Sequence, residues 1–169
     1  PQGQRRAAIL AAFETMRQMI NGLSDRIESL YFFSPTNDLL IYAPGRPDEL
    51  AFYRNAPSDF DFQQAEFSRI TSPAQNPAAR MRCTSLQRPL YDEEGDNWTT
   101  GCMTPVRIDG RHLGSWGISI PLSQLTERLT PPAEGAFTII VSREGKLIHH
   151  SGIAGMDSRQ LEANVDLPS

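Results

Sequence analysis

Residues 98–122 read WTTGCMTPVRIDGRHLGSWGISIPL, two apolar runs on either side of Asp109-Gly110. An Asp-Gly pair between such runs is a strong signal for a two-residue hairpin turn, because both residues tolerate the positive φ that the turn needs. A further apolar segment, at about residues 80–91, precedes an acidic turn at 92–97. The stretch from 80 to 122 therefore predicts three consecutive antiparallel strands.

Two more strands are predicted upstream, at residues 30–33 and 39–42, joined by the turn residues 34–38. Helical patterns cover about residues 60–70 and 122–129. This order of elements predicts an α+β fold, a five-stranded antiparallel sheet with helices on its faces.

The first thirty residues carry a heptad stripe. Apolar side chains recur at alternating spacings of four and three, at Ile9, Phe13, Met16, Ile20, Leu23, Ile27 and Leu30. The stripe predicts one long helix over residues 4–30. It can pack along the sheet of its own chain or pair with the same helix of a second copy. We expect both, with the N-terminal half forming a homodimer.

The composition excludes some classes of function. The 169 residues carry 16 basic and 20 acidic side chains, a net charge of −4, so a basic nucleic-acid footprint is absent. No apolar run reaches the roughly 18 residues of a membrane span, and no signal peptide is visible. Because the chain begins with Pro1, we expect a piece of a larger protein.

The sequence predicts a division at residue 130. Residues 1–130 hold the long helix and the sheet, whereas residues 131–169 begin with a Pro-rich linker and one hairpin, at 137–141 and 147–150. So short a segment cannot form an independent core. We expect it to be the start of an incomplete second module.

Catalytic and metal-binding signatures are absent from the sequence. It has no Cys-x-x-Cys, His-Glu-x-x-His, phosphate loop or dinucleotide fingerprint. His149 and His150 are adjacent, so on a strand they point to opposite faces. We therefore expect no enzyme active site, no metal and no cofactor.

The two cysteines lie on neighbouring predicted strands. A turn centred near residues 93–94 sets Cys83 almost opposite Cys102, close enough for a disulfide. A bridge implies an oxidising compartment. A register shift of one residue would separate the two side chains, and a pair of reduced thiols is the alternative.

Strand alternation predicts a pocket. Trp116, Ile118 and Ile120 share one face of the last strand and suit the helix stripe, whereas Ser115, Gly117 and Ser119 leave room on the other. We expect a polar pocket over Thr100 and Ser119. Its candidate ligand-binding residues, with three arginines suited to a small organic anion, are Arg69, Arg80, Arg82, Trp98, Thr100 and Ser119. Alternatively, the arginines are simply solvated.

Three segments carry a resemblance to a known family. Tyr91–Val106, Asp109–Gly114 and Ile118–Leu125 resemble Cache-type sensor domains, the PAS-like extracytoplasmic domains of bacterial signalling receptors. Phe137–His150 resembles the first hairpin of the membrane-proximal module in the two-module form. The resemblance covers roughly residues 4–150 and implies a PAS-like five-stranded sheet behind a long N-terminal helix.

The resemblance also implies a role. Such domains bind a small molecule in the periplasm and signal through a membrane-anchored host protein. Among outputs we expect a sensor histidine kinase. The alternatives are a diguanylate cyclase, a chemotaxis transducer or a solute-binding module without signalling.

The chain departs from the amino-acid-binding members of that family. Those members carry an Arg-x-Trp-Tyr cluster and an aspartate on the fifth strand. Here the residues around Arg69 include no Trp or Tyr, and Ser119 stands at the aspartate position. The resemblance therefore implies an anion in place of an amino acid, or a module without a ligand.

Overall fold

The computed structural model describes residues 2–23, 27–92, 97–126, 139–141 and 147–150. Within these ranges no helix is both long enough and apolar enough to cross a membrane. Residues 93–96 of the acidic turn predicted at 92–97, the linker at 131–135 and the end of the helix predicted at 122–129 lie outside the described residues.

The centre of the fold is a five-stranded antiparallel sheet, as predicted. Its strands are β1 (Ser29–Phe33), β2 (Leu39–Tyr42), β3 (Arg82–Cys83), β4 (Thr99–Ile108) and β5 (Arg111–Pro121). They lie in the order β2-β1-β5-β4-β3. Strand β5 therefore lies at the centre, and β1, whose five residues are all buried, pairs with it on one side and with β2 on the other.

The β4–β5 hairpin closes as the sequence predicts. Asp109 and Gly110 have φ of 51° and 75° and form a two-residue turn between Ile108 and Arg111. A bulge then follows, because Arg107 pairs with His112 whereas Val106 pairs with Gly114. The extra residue, Leu113, shifts the pairing of everything beyond it by one.

Helix α1 (Gln2–Leu23) is shorter than the predicted helix over residues 4–30. Leu30 instead lies in β1, 2% exposed and opposite both Tyr42 and Ile118. The heptad spacing reaches Leu30 by coincidence. A strand that is buried on both faces also favours an apolar residue at that position. Burial in the sheet outweighs the helical pattern there.

The face of α1 that packs is also rotated from the predicted stripe. Ala12 and Met16 are buried, whereas Phe13 and Leu10 are 49% and 54% exposed. The helix contacts β2, and Arg5 forms an ion pair with Asp38 in the β1–β2 turn.

The segment between β2 and β3 differs most from prediction. It contains α2 (Pro47–Asn55), which was not predicted, and the helix expected at 60–70 is split into a 3₁₀ turn (Phe62–Gln64) and α3 (Glu66–Arg69). Proline in the first turn, followed by Asp48 and Glu49, is a helix-start signal that the sequence does contain.

The strand predicted at 80–91 is also mostly irregular. Only Arg82–Cys83 forms β3, with one further bridge between Gln87 and Thr99. Pro89 cannot donate to a ladder, which limits this segment to an edge. After β5 come α4 (Leu122–Thr126) and a separate antiparallel pair, β6 (Ile139–Val141) with β7 (Leu147–His150), so the predicted hairpin there is formed.

The sheet has two contrasting faces. One face, called the helix-side face here, carries large apolar side chains of β1 and β5, namely Leu30, Phe32, Trp116 and Ile118. Helix α1 contacts the sheet at β2. The pocket-side face carries Tyr31, Phe33, Met103 and a row of small residues. At one end of the pocket-side face Phe33 packs with Phe62 and Phe67 into the main apolar cluster. At the other end the small residues leave a cavity.

Candidate ligand-binding site

The cavity lies between the pocket-side face, helix α2 and residues 84–91, and its volume is about 150 Å³. An apolar cavity of about this volume accommodates a molecule as large as benzene. It therefore has room for a ligand of about six non-hydrogen atoms.

Glycines lie at and beneath the floor of the cavity: Gly101 is part of its lining, and Gly117 lies under the Tyr31 ring. A Cβ at Gly117 would lie 2.3 Å from the ring of Tyr31, and one at Gly101 would lie 2.4 Å from the terminal methyl of Met103. The Tyr31 ring therefore lies flat against the sheet only because these positions have no side chain. The space above the floor follows from this residue choice.

The Tyr31 hydroxyl lies inside the cavity lining. It donates to Met103 Sδ at 3.7 Å and also interacts with the side chain of Ser119. Burial raises its pKa well above the ordinary value, so the hydroxyl stays protonated at physiological pH.

Glu49 is the unusual member of the lining. It projects from α2, is 3% exposed, and among the described residues its Oε2 has no hydrogen-bond partner. Burial raises its pKa from 4.5 to about 7, and nearby Arg46 acts in the opposite direction. A carboxyl group held in this way can exchange a proton near neutral pH, and when ionised it favours a cation beside it.

Arg46 is already engaged by other groups. Its guanidinium donates to Glu28 Oε1 at 2.5 Å and to Asp48 Oδ2 at 2.8 Å, and it lies 4.9 Å from the ring centroid of Tyr91. These contacts anchor the start of α2 to the segment before β1 and to the tyrosine on the far wall. They hold Arg46 near Glu49 without a direct ion pair between the two.

The far wall of the cavity is residues 84–91, held along the edge of β4. The Thr84 N–H donates to Gly101 O at 2.9 Å, and Gln87 and Thr99 exchange two backbone bonds of 2.9 Å. The segment begins at a disulfide between Cys83 and Cys102, the pair expected from the sequence. The bridge thus ties the base of this wall to the sheet.

Of the six predicted ligand-binding residues, the structure places Ser119 in the cavity lining. Thr100 lies on the helix-side face, opposite Ile120, and its hydroxyl donates to Thr84 O at 2.9 Å. The expected pocket over both Thr100 and Ser119 is therefore wrong for Thr100. The reason is the bulge at Leu113, which pairs Ser119 with Gly101 in place of Thr100.

The remaining predicted residues lie elsewhere. Trp98 is outside the lining, with its ring 5.0 Å from the Arg88 guanidinium. Arg69, Arg80 and Arg82 are exposed and are not part of the cavity. The arginine that does line it is Arg88.

Sequence reasoning missed most of the polar lining, namely Tyr31, Glu49, Tyr53, Glu66, Arg88 and Tyr91. The helix-start signal at Pro47 could have placed Glu49 on a helix, but no local pattern says that this helix covers the sheet. In the described ranges, no group of three or more His, Cys, Asp and Glu is arranged to hold a metal ion.

Solved structures provide the comparison. No family model and no curated protein matches the chain. The ligand-binding domain of the Pseudomonas fluorescens chemoreceptor CtaA matches in its complex with L-serine at 17% identity and a TM-score of 0.57, over 79% of this chain and 52% of that one. Its complex with L-isoleucine matches at 18% identity and 0.53, over 79% and 49%.

A third match is the ligand-binding domain of the Pseudomonas aeruginosa PAO1 amino acid chemoreceptor PctC with GABA, at 22% identity and a TM-score of 0.49, over 73% of this chain and 49% of that one. The chain thus spans about half the length of these domains. The CtaA likeness, at under 20% identity, establishes the architecture. The chain has the PAS-like α+β fold of Cache-type chemoreceptor ligand-binding domains, as its sequence resemblance implies.

Proposed function

We propose that this chain is the extracytoplasmic ligand-sensing domain of a membrane-anchored signalling receptor and has no catalytic activity of its own. The observation that carries the proposal is the cavity between the sheet and α2, built on glycines and lined by buried polar groups, in a fold shared with chemoreceptor ligand-binding domains. Buried unpaired polar groups cost stability. A ligand that pairs with them recovers that cost.

The test is a thermal-shift screen with amino acids, amines and organic acids, followed by calorimetric titration. We expect one chemical class to stabilise the wild type and to lose affinity at least tenfold in Gly101→Ala, whose added methyl meets Tyr31 Oη and Met103 at the cavity floor. Gly45→Ala is the matched control, because nothing lies within 4 Å of its new methyl. No stabilisation by any class would contradict the proposal.

For the output, the chemoreceptor neighbours favour a chemotaxis transducer, and a sensor histidine kinase is the second candidate. A chimera that places this domain on the signalling part of each receptor class separates them. We expect ligand to change swimming bias through the transducer chimera. A response only through the kinase chimera would reverse the order.

A periplasmic location is supported by the disulfide, since such bridges persist in oxidising compartments. Thiol labelling of the protein in intact cells checks this. We expect Cys83 and Cys102 to remain unlabelled until a reductant is added. Labelling without reductant would contradict a periplasmic location.

We also propose a homodimer through the N-terminal half of α1. Leu10 and Phe13 are large, apolar and about half exposed on this helix. Sedimentation velocity is expected to show a weak dimer in the wild type that Phe13→Glu converts to a monomer. A wild type that stays monomeric at high concentration would contradict the dimer.

We further propose that residues 131–169 begin a second module. Their β6–β7 pair forms a sheet of its own, and the chain spans only about half of the CtaA domain. Expression of residues 1–130 alone is expected to give a folded protein with the same ligand response. An unfolded product would show that the later residues complete the first module.

A further inference from the structure

The Glu49 side chain presents an unused acceptor to the cavity. Its Oε2 is buried and has no hydrogen-bond partner among the described residues. The whole residue is only 3% exposed. A buried carboxylate oxygen is expensive to leave unpaired, and charge-assisted hydrogen bonds to it are the strongest that a neutral-pH ligand can offer. The oxygen therefore favours a donor that arrives with the ligand.

Among the described residues, the groups around Glu49 do not donate a hydrogen bond to its Oε2. Besides Glu49, the charged and titratable side chains that act on it or line the same cavity are three carboxylates, two arginines and three tyrosines, namely Glu28, Asp48, Glu66, Arg46, Arg88, Tyr31, Tyr53 and Tyr91. Arg46 donates to Glu28 and Asp48. The local charge is therefore negative when Glu49 is ionised.

The other ionisable groups of the lining are held by protein contacts. Glu66 accepts from the Ser85 N–H at 3.0 Å and from the Ser85 hydroxyl at 2.5 Å. Arg88 lies over the Trp98 ring. The exposed arginines that the sequence offered for an anion do not reach the cavity.

Tyrosine rings supply the second half of a cation site. Tyr31, Tyr53 and Tyr91 all line the cavity, and burial raises the pKa of each, so their hydroxyls remain neutral. An aromatic face attracts a positively charged group, most strongly when the group is removed from water. A carboxylate with aromatic rings around it is the arrangement that an alkylammonium group fits.

We infer that the ligand of this cavity carries a protonated amino group, bound by Glu49 Oε2 and enclosed by the tyrosine rings, on a small apolar body of about six non-hydrogen atoms. The inference rests on the proposed function and names its ligand class. A purely anionic ligand is disfavoured by the Glu49 carboxylate.

Ligand binding is then coupled to pH. Because burial raises the pKa of Glu49 to about 7, the free protein below that pH holds a neutral carboxyl. A cation binds the ionised form, so its affinity falls as pH drops below about 7, approaching tenfold per pH unit. Above pH 8 the affinity is constant, as long as the amine stays protonated.

The experiment compares three four-carbon probes of matched size, n-butylamine, n-butanol and n-butyrate, by calorimetric titration of the wild type between pH 5 and 9. We expect n-butylamine to bind at least tenfold more tightly than the other two at pH 8, and to weaken below pH 7. Glu49→Gln is expected to lose at least tenfold in n-butylamine affinity and to lose the pH dependence. Asp59→Asn, which removes an exposed carboxylate outside the cavity, stays within threefold of the wild type.

Two results would overturn the inference: preference of the wild type for n-butyrate or n-butanol, or n-butylamine binding that is unchanged in Glu49→Gln. Either would leave the proposed function intact, because a small molecule would still bind the cavity. Failure of all three probes, together with failure of the wider ligand screen, would overturn both. The wild-type pH profile tests the inference even if the Glu49 variant is unstable.

Discussion

The two faces of the central sheet use alternate residues of the same strands for opposite purposes. On the helix-side face, Phe32 is 3% exposed and packs on Trp116 with ring centroids 5.2 Å apart. On the pocket-side face, its neighbour Tyr31 lies over Gly117, where no side chain opposes it. The helix-side face is filled here, whereas the pocket-side face is filled only at its Phe33 end and is open beside Tyr31.

The difference shows which part of the sheet stabilises the fold and which part forms the binding cavity. The helix-side face gains from burial of large apolar groups, at roughly 25 cal/mol per Å². The pocket-side face keeps polar atoms without partners in the described part of the chain, among them Ser29 Oγ, Ser115 Oγ and Glu49 Oε2. Binding sites commonly retain such costs, and changes on the two faces should therefore have different signatures.

The largest expected effect is on the filled face. Phe32→Ala removes a buried aromatic ring and should lower the free energy of unfolding by about 3–5 kcal/mol. Tyr31→Phe removes only a hydroxyl that bonds to Met103 and Ser119, and should cost about 1 kcal/mol or less while weakening ligand binding. Urea unfolding measures both. A larger loss in Tyr31→Phe would invalidate the comparison of the faces.

The disulfide lies on the helix-side face, ties down the wall of the cavity, and gives the next largest effect. Cys102 lies on the helix-side face opposite Ile118, whereas the segment that starts at Cys83 walls the cavity. Replacing both cysteines by serine should cost about 3 kcal/mol, the value typical of a loop of this length. Ligand affinity should also fall, because the wall loses its anchor. Full affinity in the serine variant would show that the β4 backbone bonds suffice to hold the wall.

Glu49→Gln should reveal the cost that the open face carries. The folded-state pKa of about 7 lies above the ordinary 4.5, so folding favours the protonated form. That stabilisation is complete below pH 4.5 and is lost as pH rises through about 7. Between pH 5 and pH 8.5 the wild type should lose about 2–3 kcal/mol, at roughly 1.4 kcal/mol per pKa unit.

Glutamine does not titrate, so the Glu49→Gln variant should lack this loss and be more stable than the wild type at pH 8.5. Asp59→Asn, at an exposed carboxyl outside the cavity, is the control and should keep the wild-type profile. Unfolding curves at several pH values provide the measurement. Parallel pH profiles of Glu49→Gln and wild type would contradict a buried, raised-pKa carboxyl.

Two glycine substitutions give the smallest effects, with opposite signs. Gly117→Ala places a methyl 2.3 Å from the Tyr31 ring and should cost about 1–3 kcal/mol as well as ligand binding. Gly22→Ala, in α1 with nothing within 4 Å, should gain up to about 1 kcal/mol from helix propensity and leave binding unchanged. Thermal unfolding distinguishes them. Equal effects would mean that Tyr31 moves freely off the sheet.

Thr100 and Ser119 show most clearly why part of the candidate site could not be predicted from the sequence. A two-residue turn at Asp109-Gly110 without any bulge would have paired these two residues and put them on one face, as the predicted pocket requires. The extra residue at Leu113 moves the partner of Ser119 to Gly101. A bulge depends on how one strand pairs with its neighbour, so the sequence of a single strand does not reveal it.

The sequence by itself determined strands β1, β2, β4 and β5, the turn at Asp109-Gly110 and the opposition of Cys83 to Cys102. These follow from alternation and turn chemistry, which act within a few residues. Only the tertiary structure decided where α1 ends and that Glu49 is buried against Tyr31 and Tyr91. Those outcomes join segments far apart in the chain, and they depend on which apolar surfaces bury one another, a balance that no local pattern contains.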